Sequence, residues 1–139
     1  MSYLLDINVL SELRRKTPDA GVSTWFAQRP ASSLYLSVLT LGELRKGIEV
    51  VREPARRLAL TDWVQSELSM FFLGRILDVD AQVADRWGKL VASAGRPVPA
   101  IDSLLAATAL VHGLSMVTRN AKDFASLGLE VINPWKLTP

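Results

Sequence analysis

The stretch Tyr3-Leu4-Leu5-Asp6-Ile7-Asn8-Val9-Leu10-Ser11 constrains the fold more than any other part of the chain. It opens with an apolar run short enough for a buried strand, closes that run with an acid, and offers Asn8 as a helix cap before Val9, Leu10 and Leu13. In an open α/β sheet, a carboxylate at such a junction sits in the crevice at the carboxyl ends of the strands, where these sheets bind ligands. The plainer role for Asp6 is to close the strand and cap the turn. One junction acid does not decide between the two.

The rest of the chain repeats the alternation. A short helix over residues 9–14 ends before the Lys16-Thr17-Pro18-Asp19 turn. Residues 20–28 place Val22, Trp25 and Phe26 on one helical face, and Pro30 stops that helix. Residues 34–38 read as a second strand, and Thr40-Leu41-Gly42-Glu43 opens a helix whose Leu41, Leu44 and Ile48 recur at helical spacing. After Glu53-Pro54, a helix start with proline in the first turn, comes the longest helical pattern, residues 55–72. Its apolar stripe is Leu58, Trp63, Val64, Leu68, Phe71 and Phe72.

Residues 75–77 form a third short strand, and 80–94 a helix with Val83, Trp87, Leu90 and Val91 inward and Gly95 as its stop. Past a loop at 96–100, residues 102–112 are almost wholly apolar, a helix placed against the sheet centre, with His112 in a capping position. Strands at 114–117 and 129–132 flank a short helix at 120–126, and the tail with Pro134 runs across the surface. This order predicts an α/β fold over residues 1–139 as one domain. Its sheet is mainly parallel, with about five short strands, right-handed crossovers and helices on both faces.

Composition narrows the chemistry. There are no cysteines, which excludes disulfides and thiolate metal sites and fits a reducing cytosol, and the single histidine excludes a site built on several imidazoles. Neither a GxGxxG nor a GxxxxGK[ST] pattern occurs, so no dinucleotide or P-loop site is indicated. The start lacks a signal-peptide pattern, no apolar run is long enough to span a bilayer, and a cytoplasmic protein is expected. A net charge of +2 with an isoelectric point near 9.2 is a mild basic bias, compatible with a polyanionic substrate.

Four carboxylates share the junction context. Asp6 ends the first strand, Glu43 lies in the first turn after the second, Asp102 starts the apolar helix, and Asp123 follows the 114–117 strand. In a parallel sheet these junctions converge on one edge. Each acid has a plainer role: Thr40-x-x-Glu43 matches a capping box, Asn120-x-x-Asp123 resembles one, and Asp102 complements a helix dipole. Asp19, Asp62, Asp78, Asp80 and Asp85 show no such convergence.

Together the four acids need a counter-charge. An all-oxygen set suits Mg²⁺ or Mn²⁺, and one or two such ions support phosphodiester hydrolysis. Thr118 and Asn120 are placed to donate to a phosphate or a water, Arg119 to hold the backbone, and Arg86 to point to the same side from the preceding helix.

In order and spacing, four segments resemble the PIN-domain ribonucleases, specifically the VapC-type toxins of bacterial toxin–antitoxin pairs and their FitB-like members. They are Leu4 to Ser11, Ser37 to Ile48 (Ser-Val-Leu-Thr-Leu-Gly-Glu-Leu-Arg-Lys-Gly-Ile), Ile101 to Ala109 (Ile-Asp-Ser-Leu-Leu-Ala-Ala-Thr-Ala) and Val117 to Phe124 (Val-Thr-Arg-Asn-Ala-Lys-Asp-Phe). The resemblance covers essentially the whole chain. It implies that Asp6, Glu43, Asp102 and Asp123 bind metal, Asp6 and Asp102 most directly and Asp123 through water, with Thr118 and Asn120 in support.

The resemblance further implies Mg²⁺- or Mn²⁺-dependent endonucleolytic cleavage of tRNA or rRNA, which stops translation. It implies homodimers inhibited by a VapB-like antitoxin, which wraps the apolar helices and carries the DNA-binding domain that represses the operon. One position departs from the family's usual Asp-Thr-Asn: Ile7 stands where threonine is usual, which predicts weakened or retuned activity. Two alternatives stand beside this reading, a DNA nuclease of the same fold and a weakly active partner- or nucleic-acid-binding module. If Arg14, Arg15, Lys16, Arg45, Lys46 and Arg119 contribute to RNA binding, affinity falls with salt.

Overall fold

The computed structural model describes residues 1–136. Five strands, β1 (Tyr3–Leu5), β2 (Leu34–Ser37), β3 (Ile76–Leu77), β4 (Ser115–Val117) and β5 (Val131–Ile132), form one sheet in the order β3-β2-β1-β4-β5. Every pairing is parallel. β1 is central, with Tyr3 opposite both Leu34 and Ser115, and Leu5 opposite Val117.

Alternation along β1 explains why both sheet faces are covered, as parallel sheets require. Tyr3 and Leu5 enter one core with Val9, Leu10, Val22, Trp25, Leu34, Leu36, Leu68 and Phe72. Leu4 enters the other, with Leu105, Ala106, Ala109, Met116 and Phe124. Leu4 and Leu5 are both fully buried, each contributing about 1.5–3 kcal/mol by removal from water.

The first core is covered by α1 (Ile7–Leu13), α2 (Ala20–Ala27), α3 (Val38–Glu49) and the run from α4 (Pro54–Asp62) to α5 (Ser69–Phe71). The second is covered by α6 (Ala81–Ser93), α7 (Ala100–His112) and α8 (Ala121–Ala125). The alanines Ala106, Ala107 and Ala109 leave no side-chain bulk between α7 and the sheet, and all three are fully buried. Gly113, at φ 66°, ends α7 in the left-handed conformation that glycine adopts without strain.

Several local expectations need correction. The cap of α1 is Asp6, whose Oδ1 accepts from the Ile7 N–H at 2.8 Å, so the helix starts two residues before Val9 and Asn8 lies inside its first turn. α3 likewise starts at Val38, because Ser37 Oγ caps it by accepting from the Leu39 N–H at 3.0 Å. Thr40 is therefore an interior residue of α3, its buried hydroxyl unpartnered among the described residues, and the Thr40–Glu43 capping box does not form. Asn120 precedes α8 without a side-chain capping bond.

The long helical run is not uniform: Trp63–Leu68 is π-helical. Within it the stripe Trp63, Val64, Leu68 and Phe72 packs on the first core, whereas Leu58 is 63% exposed. Leu58 lies five residues before Trp63, which is about 140° round an α-helix. The tail does not merely cross the surface, since Pro134 is buried and Trp135 packs on the first core. The last part of the tail, 137–139, lies outside the described residues.

Candidate active site

The site lies at the carboxyl edge of β1 and β4, the neighbouring central strands from which the chain runs outward in opposite directions across the sheet. Asp6 follows β1 directly and is 5% exposed. Its backbone N–H donates to the Val117 carbonyl at 3.0 Å, which continues the strand pairing into the site and fixes the acid's height. Thr118 follows β4 and is fully buried.

A closed hydrogen-bond network joins the two junctions. The Thr118 hydroxyl donates to Asp6 Oδ2 at 2.8 Å. It accepts from Asn8 Nδ2 at 3.2 Å and from the Asn120 backbone N–H at 3.0 Å. A threonine hydroxyl has one donor and two acceptor positions, so Thr118 is saturated. Asn8 Nδ2 also approaches Asp6 Oδ2 at 3.4 Å, while Asn8 Oδ1 accepts from the Arg119 N–H at 3.2 Å.

The expected role of Thr118 as a donor to phosphate or water is thereby corrected, because its only hydrogen is committed to Asp6. Asn8, read from sequence as a helix-start residue, ties β1 to the loop after β4. Its partners are 110 and 111 residues away, which no local pattern reveals. The available signal was an amide two residues after a strand-end acid.

Glu43 enters from α3, and Asp102 from the first turn of α7, both half-buried. Burial raises the pKa of Asp6 above its ordinary value, against the lowering effect of the Thr118 and Ile7 hydrogen bonds. Burial also raises that of Glu43, with further contributions from the charges of Asp6 and Asp102 and opposition from Lys46. For Asp102 the causes are burial, then Asp6 and Asp123. These mutual effects mark Asp6, Glu43, Asp102 and Asp123 as one electrostatic group, with Asp123 exposed at its edge on α8.

Among the described residues, no three of these side chains already form a compact metal shell. The carboxylates interact through charge across space rather than through shared contacts. The donor set still suits a hard divalent cation: it is all oxygen, Asp6, Glu43 and Asp102 have raised pKa values, and Glu43 Oε1 is buried with no hydrogen-bond partner among the described residues. A cation at these acids would offset both their repulsion and that unpaired oxygen.

The remaining expected residues divide. Arg119 stands at the rim, its guanidinium 5.2 Å from the centre of the Trp135 ring. Asn120 contributes its backbone rather than its side chain, which is exposed. Arg86 is exposed on α6 and makes none of the hydrogen bonds or ion pairs among the described residues. Ile7 gives its N–H to Asp6, while its side chain packs on the first core and lines, with Glu43, a cavity between α1, α3 and the α4–π run.

Comparison with known proteins fits this geometry. The family model described as PIN domain matches residues 3–128. The chain belongs to the PIN domain family. A relative named plasmid stability protein StbB, from Pseudomonas syringae pv. tomato, is 37% identical, covering 96% of this chain and 98% of its own. Another, named VapC ribonuclease Y4jK, from Sinorhizobium fredii, is 35% identical, covering 96% and 97%. Among solved structures, FitAcB from Neisseria gonorrhoeae superposes with a TM-score of 0.90 at 33% identity, covering 97% of this chain and 99% of that one. The PIN assignment accounts for the parallel sheet; Glu43, expected in the first turn of its helix, lies past the first turn of α3, and Asp102 follows the loop from α6 rather than a strand. No helix among the described residues is long and apolar enough to cross a membrane.

Proposed function

We propose that this PIN domain is a Mg²⁺-dependent endoribonuclease, with Mn²⁺ as a working substitute, that cuts tRNA or rRNA and so inhibits translation as a toxin. Asp6 and Asp102 bind the metal directly, and Glu43 and Asp123 do so directly or through water. When bound, the divalent ion supplies charge neutralisation at the phosphate and acidifies water at neutral pH.

The chain's own residues do the positioning. Thr118 and Asn8 hold Oδ2 of the Asp6 carboxylate and the Ile7 N–H takes one position on Oδ1, leaving the second position of Oδ1 for a cation. Glu43 Oε1 is withheld from protein donors and so is available as a ligand or proton acceptor. Arg119 stands at the rim, where an RNA backbone approaching the acids would meet it.

The observation that carries this reading is the buried, unpartnered Glu43 oxygen within the charge field of Asp6 and Asp102. The names of the relatives, VapC ribonuclease and tRNA(fMet)-specific endonuclease among them, support RNA as the substrate. The solved FitAB complex bound to a DNA fragment supports a VapB-like antitoxin as the inhibitor and as the carrier of operator recognition. The toxin itself acts in the cytoplasm as a homodimer.

The test is cleavage of total cellular RNA by the purified full chain, free of partner. Cleavage is expected with Mg²⁺ or Mn²⁺, and is lost with EDTA and in the Asp6→Asn and Asp102→Asn variants. Persistence in EDTA would overturn the metal mechanism, and persistence in both variants would overturn the assignment of the acids.

A further inference from the structure

The cavity beside the acids has its own chemistry. It measures about 560 Å³, and its wall includes Ile7, Arg14, Arg15, Glu43, Arg56 and Trp63. Glu43 belongs to the acid group, so the cavity adjoins the candidate active site at that residue. Its size falls within the range of about 300–1,000 Å³ typical of small-ligand sites.

Three arginines line this space, yet only Arg15 has a carboxylate partner, Glu12, among the described residues. Arg14 and Arg56 make no ion pair there. Arg14 instead lies over the Trp63 ring, its guanidinium 5.0 Å from the ring centre. The indole thus backs the Arg14 guanidinium, which lines the cavity, and guanidinium planes stack nucleobases. Trp63 is the first residue of the π-helical segment, a local irregularity that recurs at functional sites in helices.

Resting on the ribonuclease reading, we propose that this cavity holds the nucleotide next to the scissile phosphate of a single-stranded RNA. Arg56 takes its phosphate, and the base stacks on the Arg14 guanidinium, which Trp63 backs. The arrangement suits RNA better than an acidic peptide, because a guanidinium held flat by an indole takes a planar base, while Arg56, which makes no ion pair among the described residues, takes a phosphate. The basic residues expected from sequence included Arg14 and Arg15 but not Arg56, which lies more than forty positions further along the chain.

The experiment measures binding of a mixed-sequence, fluorescently labelled single-stranded RNA pool to the full chain by anisotropy, in an Asp102→Asn background so that the RNA stays intact. Arg56→Glu is expected to weaken binding about tenfold or more, and Arg56→Gln to lower the slope of log K against log salt by about 0.7, the value for one lost phosphate contact on a single strand. Trp63→Leu is expected to weaken binding about tenfold, and Trp63→Phe to retain most of it. Circular dichroism melts of each variant identify any loss that comes from unfolding, and Arg56, being exposed, carries the test if the Trp63 variants melt early.

RNA affinity and salt slope unchanged in the Arg56 variants would overturn the proposal. So would a loss of antitoxin binding in those variants with RNA affinity intact, which would make the cavity a protein-docking site. Failure of the underlying reading shows elsewhere, as absence of metal-dependent RNA cleavage by the unsubstituted chain.

Discussion

Thr118 spends its only hydrogen on Asp6, at 2.8 Å, and receives two in return, from Asn8 and from the backbone of Asn120. The acid at the end of β1 is thus oriented by a residue at the end of β4, across the centre of the sheet. Removing the hydroxyl leaves the Asn8 amide without an acceptor at Thr118 and lets the Asp6 carboxylate turn. Thr118→Val is expected to lower cleavage or metal affinity about 10–100-fold, the usual scale for groups that orient metal ligands. Thr118→Ser keeps the hydroxyl and should stay close to the parent. Metal titration followed by calorimetry, beside the cleavage rate, checks both variants; equal behaviour of the valine and serine forms would refute the orienting role.

Burial holds Asp6, Glu43 and Asp102 above their ordinary pKa values of 3.8, 4.5 and 3.8, and the charges of neighbouring carboxylates add to it at Glu43 and Asp102. Only the ionised forms attract a cation, so activity should fall as pH falls, starting above the usual carboxylate range. Protons and metal compete for the same oxygens, and more Mg²⁺ should move that acid limb to lower pH. For folding the sign is reversed. A carboxylate whose folded pKa is raised contributes most below its unfolded pKa, and that contribution is lost as pH rises through the folded pKa. In EDTA, then, the unsubstituted chain should lose stability relative to Asp102→Asn as pH rises from the acidic side to neutrality, and Mg²⁺ should stabilise the unsubstituted chain more. Thermal melts across pH, with and without Mg²⁺, read the effect directly.

The start of α3 supplies a prediction about stability alone. Ser37 caps the helix through the Leu39 N–H, whereas Thr40 buries a hydroxyl with no partner among the described residues. Losing a serine cap costs about 1 kcal/mol. An unpartnered buried hydroxyl costs free energy, so its replacement by the isosteric methyl of valine should be neutral or stabilising. Denaturant melts are expected to show Ser37→Ala destabilised by about that amount and Thr40→Val unchanged or improved. The reverse order would restore Thr40 as the cap.

The same helix shows what the sequence makes legible. The parallel sheet and the junction acids follow from short apolar runs each ended by a polar residue, a pattern set by burial on both faces. The end of the β2 run is misread at Val38, which opens α3: Ser37 closes β2 and caps the helix at once, a double role that the run of apolar residues hides. The π-helical turn at Trp63 leaves no mark, since a count at 3.6 residues per turn fits the stretches on either side of it. Asn8 and Thr118 meet only through the sheet, and Arg56 reaches the Glu43 cavity only because α4 folds back along α3.

Ile7 remains the position where this chain departs from the usual family pattern, and its surroundings define what threonine would change. The isoleucine side chain packs on the first core and forms part of the cavity wall shared with Glu43. Ile7→Thr removes an ethyl arm worth on the order of 1 kcal/mol of packing and places a hydroxyl on that wall. The nearby Glu43 Oε1 is buried and unpartnered, so the new hydroxyl offers the site a donor, directly or through water, that the native chain lacks. The variant should melt a few degrees lower, yet cleave RNA severalfold faster under Mg²⁺ and Mn²⁺. If the two forms cleave at equal rates and differ only in melting, Ile7 is a packing residue and the native site is not detuned by it.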